Sequence, residues 1–200
     1  MPSVPPRSIR RAHRILLGIV VAGLLDIAAI LVLWRHADAV SPRLLDILLT
    51  PDQTPALLAG IHEDSQPALV LGGAAAVVFG LVLLLLWRRV SVARPLGLVA
   101  AAVLVSVQVW LLVGSANLTA GEAMSPNTGF GPEAARQVNS LLIPVWFSIV
   151  HWLTGAALLV GAGALFFMLI SETTKDFLES AQEESRAEEV LDLTKLRRTS

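Results

Sequence analysis

Asp26 lies inside the apolar run from Ile15 to Trp34. A carboxylate at that depth costs about 2.5 to 3.5 kcal/mol unless it is protonated, paired or hydrated. Two kinds of chemistry fit such a residue. It can bind a proton or a cation, or it can hold one helix against another by a hydrogen bond. Ala22 and Gly18 precede it by four and eight residues, so Asp26 is expected to project from a small-residue face into a helical bundle.

Gln108 is its expected partner. It lies about 18 Å along a helix from Leu96, and Asp26 lies about 16 Å from Ile15, so the two fall at similar depth. A glutamine amide donates to an ionised carboxylate and accepts from a protonated one. His151 sits between Trp146 and Trp152, about 28 Å along the helix from Ile170, and is expected near the outer surface as an interface anchor. A haem-binding alternative would take His36 and His151 as axial ligands, but neither occupies the middle of an apolar span. His36, Asp38, His62, Glu63 and Asp64 are of metal-ligating types without a fixed ligand spacing, and solvated turns account for them equally well. There is no nucleophile elbow, phosphate loop, dinucleotide fingerprint or zinc-protease pattern. No cofactor and no metal are expected.

The elements that must position these residues follow from composition. Of 200 residues, 54% are hydrophobic and 16% charged, and mean hydropathy is +0.69. That excess argues against a soluble single domain. With 15 basic and 16 acidic residues, the charge total points to neither nucleic acid nor an acidic substrate. With no cysteine, disulfides, thiolate metal sites and S-acylation are excluded.

A helix needs about 20 apolar residues to cross a bilayer. Four segments qualify, at 15–34, 67–87, 96–116 and 141–170. The last is overlong and must tilt, project or begin as an interfacial segment before Pro144. The expected fold is all-α, a polytopic four-transmembrane-helix bundle. Residues 1–14 form a basic N-terminus, 15–170 the membrane domain and 171–200 a charged, helical cytoplasmic tail.

Twelve basic residues fall on the side of the termini and the 88–95 hairpin, against Arg35, Arg43 and Arg136 on the other. The positive-inside rule therefore puts both termini in the cytoplasm. Thirteen arginines against two lysines suggest a GC-rich bacterial genome and hence a bacterial inner membrane. A signal peptide cleaved near Ala37-Asp38-Ala39 is disfavoured, because the apolar run exceeds the usual core of about 7 to 15 residues.

Outside the spans, Ser41-Pro42 and Thr54-Pro55 each read as the start of a short helix lying on the outer surface or capping the bundle. The second outer loop, 117–137, reads as turns. Helix packing in lipid relies on small residues. The expected stripes are Gly18, Ala22 and Ala29; Ala68, Gly72, Ala76 and Gly80; Gly97 and Ala101; and Gly155 and Ala162. Trp34, Trp110, Trp146 and Trp152 mark the outer boundary and Trp87 the inner one.

The leading functional expectation is a non-catalytic subunit or adaptor that packs with a membrane-protein partner or a second copy of itself and recruits a cytoplasmic protein through 171–200. The alternatives are a small proton- or cation-coupled transporter using Asp26, and a haem- or quinone-associated anchor.

Overall fold

The computed structural model describes residues 7–44, 53–115 and 132–171, together with Asp176, Ser180 and Glu183. Five helices are present among the described residues: α1 (Arg7–Leu44), α2 (Gln53–Trp87), α3 (Ala93–Ser115), α4 (Pro132–Leu142) and α5 (Val145–Ile170). All except α4 are long and apolar enough to cross a membrane. α1 packs against α2 and α5, and α3 packs against the same two helices. This arrangement leaves α1 and α3 on a diagonal of the bundle.

The helices begin and end where backbone chemistry requires it. After α2, Val90 N–H bonds Leu85 O at 3.0 Å and Arg89 takes a left-handed φ of 58°. This is a helix-terminating turn of the Schellman kind, built here without glycine. At the other end of the bundle, Pro144 biases Ile143 away from helical geometry and separates α4 from α5. The overlong fourth segment is thus two helices, and α4 also takes in residues 132–137 of the expected turn region. Pro132 opens α4, a position where its missing N–H is harmless.

α1 has 38 residues and α2 has 35, so they run about 57 and 52 Å at 1.5 Å per residue, well beyond a hydrocarbon core of about 30 Å. The expected short helix after Ser41-Pro42 does not start there, since α1 continues through both residues to Leu44. Pro42 leaves the Asp38 carbonyl without its usual helical donor, and Ser41 Oγ donates to that oxygen at 2.8 Å. The Thr54-Pro55 signature does mark a helix start, but the helix runs unbroken through Pro67 into the second span. The extensions enclose a small core with α4, made by Ala37, Val40, Leu44, Val138 and Leu142. Ala37, at the disfavoured cleavage site Ala37-Asp38-Ala39, is thus a buried helical residue. Trp34 is tied inward as well, with Nε1 donating to Ser65 Oγ at 2.7 Å.

The main core lies toward the other end, where α1, α2, α3 and α5 meet around Leu16, Ile19, Phe79, Val82, Leu158 and Leu165. There Arg94 Nε donates to Leu169 O at 2.8 Å and Nη2 to Ile170 O at 3.4 Å, so the guanidinium caps the last carbonyls of α5 and opposes its dipole. Arg94→Ala is expected to lower stability by about 1 to 2 kcal/mol. Denaturation in mixed micelles would check this, and an unchanged midpoint would count against the cap. Large apolar side chains such as Val77, Val160 and Phe167 point outward, at 72%, 70% and 76% exposure, as a lipid-facing surface requires.

Small residues mediate the closest helix approaches, though not all at the expected positions. A Cβ on Gly23 would stand 2.7 Å from Gly72 O, and one on Gly72 would stand 3.1 Å from Gly23 O. Gly18 is exposed and Gly80 is half-buried, and neither has anything within 4 Å of its Cβ position. Residues eight apart are offset by about 80° on a helix of 3.6 residues per turn, so a four-residue stripe drifts off the contact face. Ala22, Ala101 and Ala162 are buried. Ala76 N lies 3.5 Å from the Gly23 Cβ position. A Cβ on Gly97 would meet Leu169 Cδ1 at 2.7 Å.

Candidate functional site

Asp26 is buried, 4% exposed, on the face of α1 that meets α2 and α5. Its Cβ lies 3.9 Å from the Cβ position of Gly72 on α2. Its carboxylate faces α5, where His151 Nδ1 lies 2.9 Å from Oδ1 and Thr154 Oγ–H donates to the same oxygen at 2.8 Å. α1 and α5 run antiparallel, with Ile19 against Gly161 and Asp26 against Thr154. His151 therefore lies at the level of Asp26, eight residues along α1 from Trp34.

The geometry of the cluster allows a change of protonation without moving the helices. With Asp26 ionised, Nδ1–H of a neutral imidazole and the Thr154 hydroxyl both donate to Oδ1. Thr154 Oγ is also 2.9 Å from the backbone O of His151. The single hydroxyl proton can turn to that carbonyl when the carboxyl carries its own proton. Phe147 stacks on the imidazole, with ring centroids 5.6 Å apart and planes inclined by 8°, and fixes its orientation. His151 Nδ1 and Thr154 Oγ are three residues apart on one helical face, the spacing that lets two side chains serve one acceptor.

Gln108 is not the hydrogen-bond partner of Asp26. It is buried on α3, 8% exposed, with Oε1 4.0 Å from the Cβ position of Gly155 on α5, and it bonds no described side chain or backbone group. Depth was matched, but α1 and α3 are diagonal neighbours, and depth does not specify which helices adjoin. Gly155, expected as a packing residue, leaves room for the Gln108 amide. Thr154 is the member of the site that hydropathy did not single out.

The other titratable candidates stand apart. His36 Nε2 bonds Leu141 O at 2.9 Å and pins α4 to α1. It is ten residues along α1 from Asp26, about 15 Å, so His36 and His151 do not face each other across a haem-sized site. No group of three or more His, Asp or Glu side chains able to hold a metal ion occurs among the described residues. Of the tail expected to recruit a partner, only Asp176, Ser180 and Glu183 beyond Ser171 are described, each helical and exposed, and the rest lies outside the described residues. No family model matches the chain, and neither a curated protein nor a solved structure resembles it.

Proposed function

We propose that the chain is a small multi-pass protein of the bacterial cytoplasmic membrane, with both termini inside, that takes up and releases a proton within the bilayer at the Asp26–His151 pair. The observation that carries this reading is the buried Asp26 carboxylate, held through Oδ1 by His151 at 2.9 Å and Thr154 at 2.8 Å between two apolar spans. Intramembrane carboxylates paired with histidine are costly, and proton relays are a principal use that offsets the cost.

The exchange balances as follows. The Asp26 side chain is 6% exposed and the His151 side chain 42%, and in this reading the proton arrives on Nε2 of the imidazole, the ring nitrogen that Asp26 does not engage. The proton already on Nδ1 passes to Oδ1, leaving a neutral carboxyl group and a neutral imidazole of the opposite tautomer. The Thr154 hydroxyl turns to His151 O as this happens. Release reverses each step. In proteoliposomes carrying an internal pH indicator, an imposed pH gradient is expected to drive proton movement well above that of empty vesicles. Movement equal to empty vesicles would refute the proposal.

A further inference from the structure

Three polar atoms at the level of Asp26 have hydrogen-bonding capacity that no described residue uses. Both bonds to Asp26 fall on Oδ1, so Oδ2 has none. His151 is engaged only through Nδ1, which leaves Nε2. The amide of the buried Gln108 is the third. An unsatisfied buried polar group costs about 1 to 3 kcal/mol, and two of the three belong to buried residues, Asp26 and Gln108, at 4% and 8% exposure, while the His151 side chain beside them is 42% exposed.

The two directions away from this level differ. Toward the α2–α3 turn, the bundle is closed by the buried side chains of Leu16, Ile19, Phe79, Leu158 and Leu165. The helices there are in close contact: a Cβ on Gly161 would meet Ile19 Cγ1 at 2.9 Å, and Arg94 ties α3 to the last turn of α5. Toward the α4 end, His151 comes one turn before Thr154 on α5, and its side chain is 42% exposed.

We infer that Asp26 Oδ2, the Gln108 amide and His151 Nε2 line a water-holding vestibule that opens at the α4 end and stops at the apolar core. Its ligand is water, two or three molecules of which satisfy all three groups, since a bound water makes about three hydrogen bonds. By the charge distribution this is the outer side, so the site exchanges protons with the outer compartment. The inference rests on the proton-handling reading and adds its access route.

The chain contains no cysteine, so single-cysteine variants need no background substitutions. His151→Cys, Gln108→Cys, Ile19→Cys and Leu25→Cys would be treated with a membrane-impermeant maleimide in right-side-out and in inverted vesicles. Leu25 adjoins Asp26 in sequence but is 54% exposed on the lipid-facing side. Cysteines at 151 and 108 are expected to react in right-side-out vesicles only, and those at 19 and 25 in neither. Reaction from the inner side, or no reaction at 151 and 108, overturns the vestibule. Hydroxyl-radical footprinting of the unaltered protein provides a check that does not depend on variants folding: oxidation at His151 with protection of Phe79 is expected, and equal protection of both overturns it. If labelling fails while proton movement is intact, only the route is wrong. If labelling succeeds and the protein moves no protons, the water-filled space remains and the function proposed for it falls.

Discussion

Replacing Gly23 with valine is expected to separate α1 from α2 and to produce a large loss of stability. A Cβ at this position would stand 2.7 Å from Gly72 O and 3.5 Å from Ala76 N, and the atoms it meets are backbone. A flexible side chain can rotate away from such a clash, whereas a helix backbone can yield only by moving as a unit. Overpacking in a close-packed interior typically costs about 1 to 3 kcal/mol and sometimes more. Even alanine is expected to reach that range here, with valine beyond it. The shift would also move Asp26, three residues on, because its Cβ is 3.9 Å from the Gly72 Cβ position. Gly18→Ala and Gly80→Ala are the matched controls. Neither meets anything within 4 Å, and alanine favours helix over glycine by about 0.5 to 1 kcal/mol, so both are expected to be neutral or slightly stabilising. Titration with a denaturing detergent, followed by circular dichroism, measures all of them. Equal behaviour of Gly23→Ala and Gly18→Ala would show that the close approach does not limit stability.

The contrast between Gly18 and Gly23 shows how much of this protein can be read in its sequence. The four spans are legible because water and hydrocarbon differ so strongly as solvents that a run of apolar residues has one stable placement. Helix length beyond the membrane is not legible from hydropathy. The extension of α1 past Trp34 is polar on one side and buries Ala37, Val40 and Leu44 against α4 on the other, so it reads as a loop until its partner is known. Proline misleads at two positions for the same reason. Pro42 and Pro67 lie inside helices, and at the first of them Ser41 supplies a donor that the proline lacks.

At the site, Asp26 announces itself by type, since a carboxylate within an apolar run requires compensation. Its partners do not. Gln108 matches Asp26 in depth, yet helix adjacency is set by packing, which places α3 across the diagonal. Thr154 carries little hydropathic weight and is disguised by a span of apolar neighbours. One signal is present in the sequence: His151 and Thr154 are three residues apart, which puts both polar groups on one face of α5.

Asp26→Asn is expected to abolish proton movement while leaving the bundle at least as stable as the unaltered chain. The amide is the same size as the carboxylate. It retains an oxygen that can accept from Thr154 and from His151 Nδ1–H, so the geometry at 2.8 and 2.9 Å is preserved. What it removes is the charge and the ability to bind and release a proton. If the carboxylate serves function at the expense of stability, its removal relieves part of the roughly 2.5 to 3.5 kcal/mol that a charged residue costs at mid-membrane depth. Asp26→Ala separates this effect from simple loss of structure. It leaves the Thr154 hydroxyl and the His151 N–H without their acceptor, at about 1 to 3 kcal/mol for each buried group. The expected order of stability is therefore asparagine at or above aspartate, with alanine clearly below, while both variants are inactive in the pH-gradient assay. An asparagine variant that still moves protons would show that Asp26 is not the proton-binding group. An asparagine variant as unstable as alanine would show that the charge itself holds α1 to α5, and Asp26 would then be a structural tie between those helices.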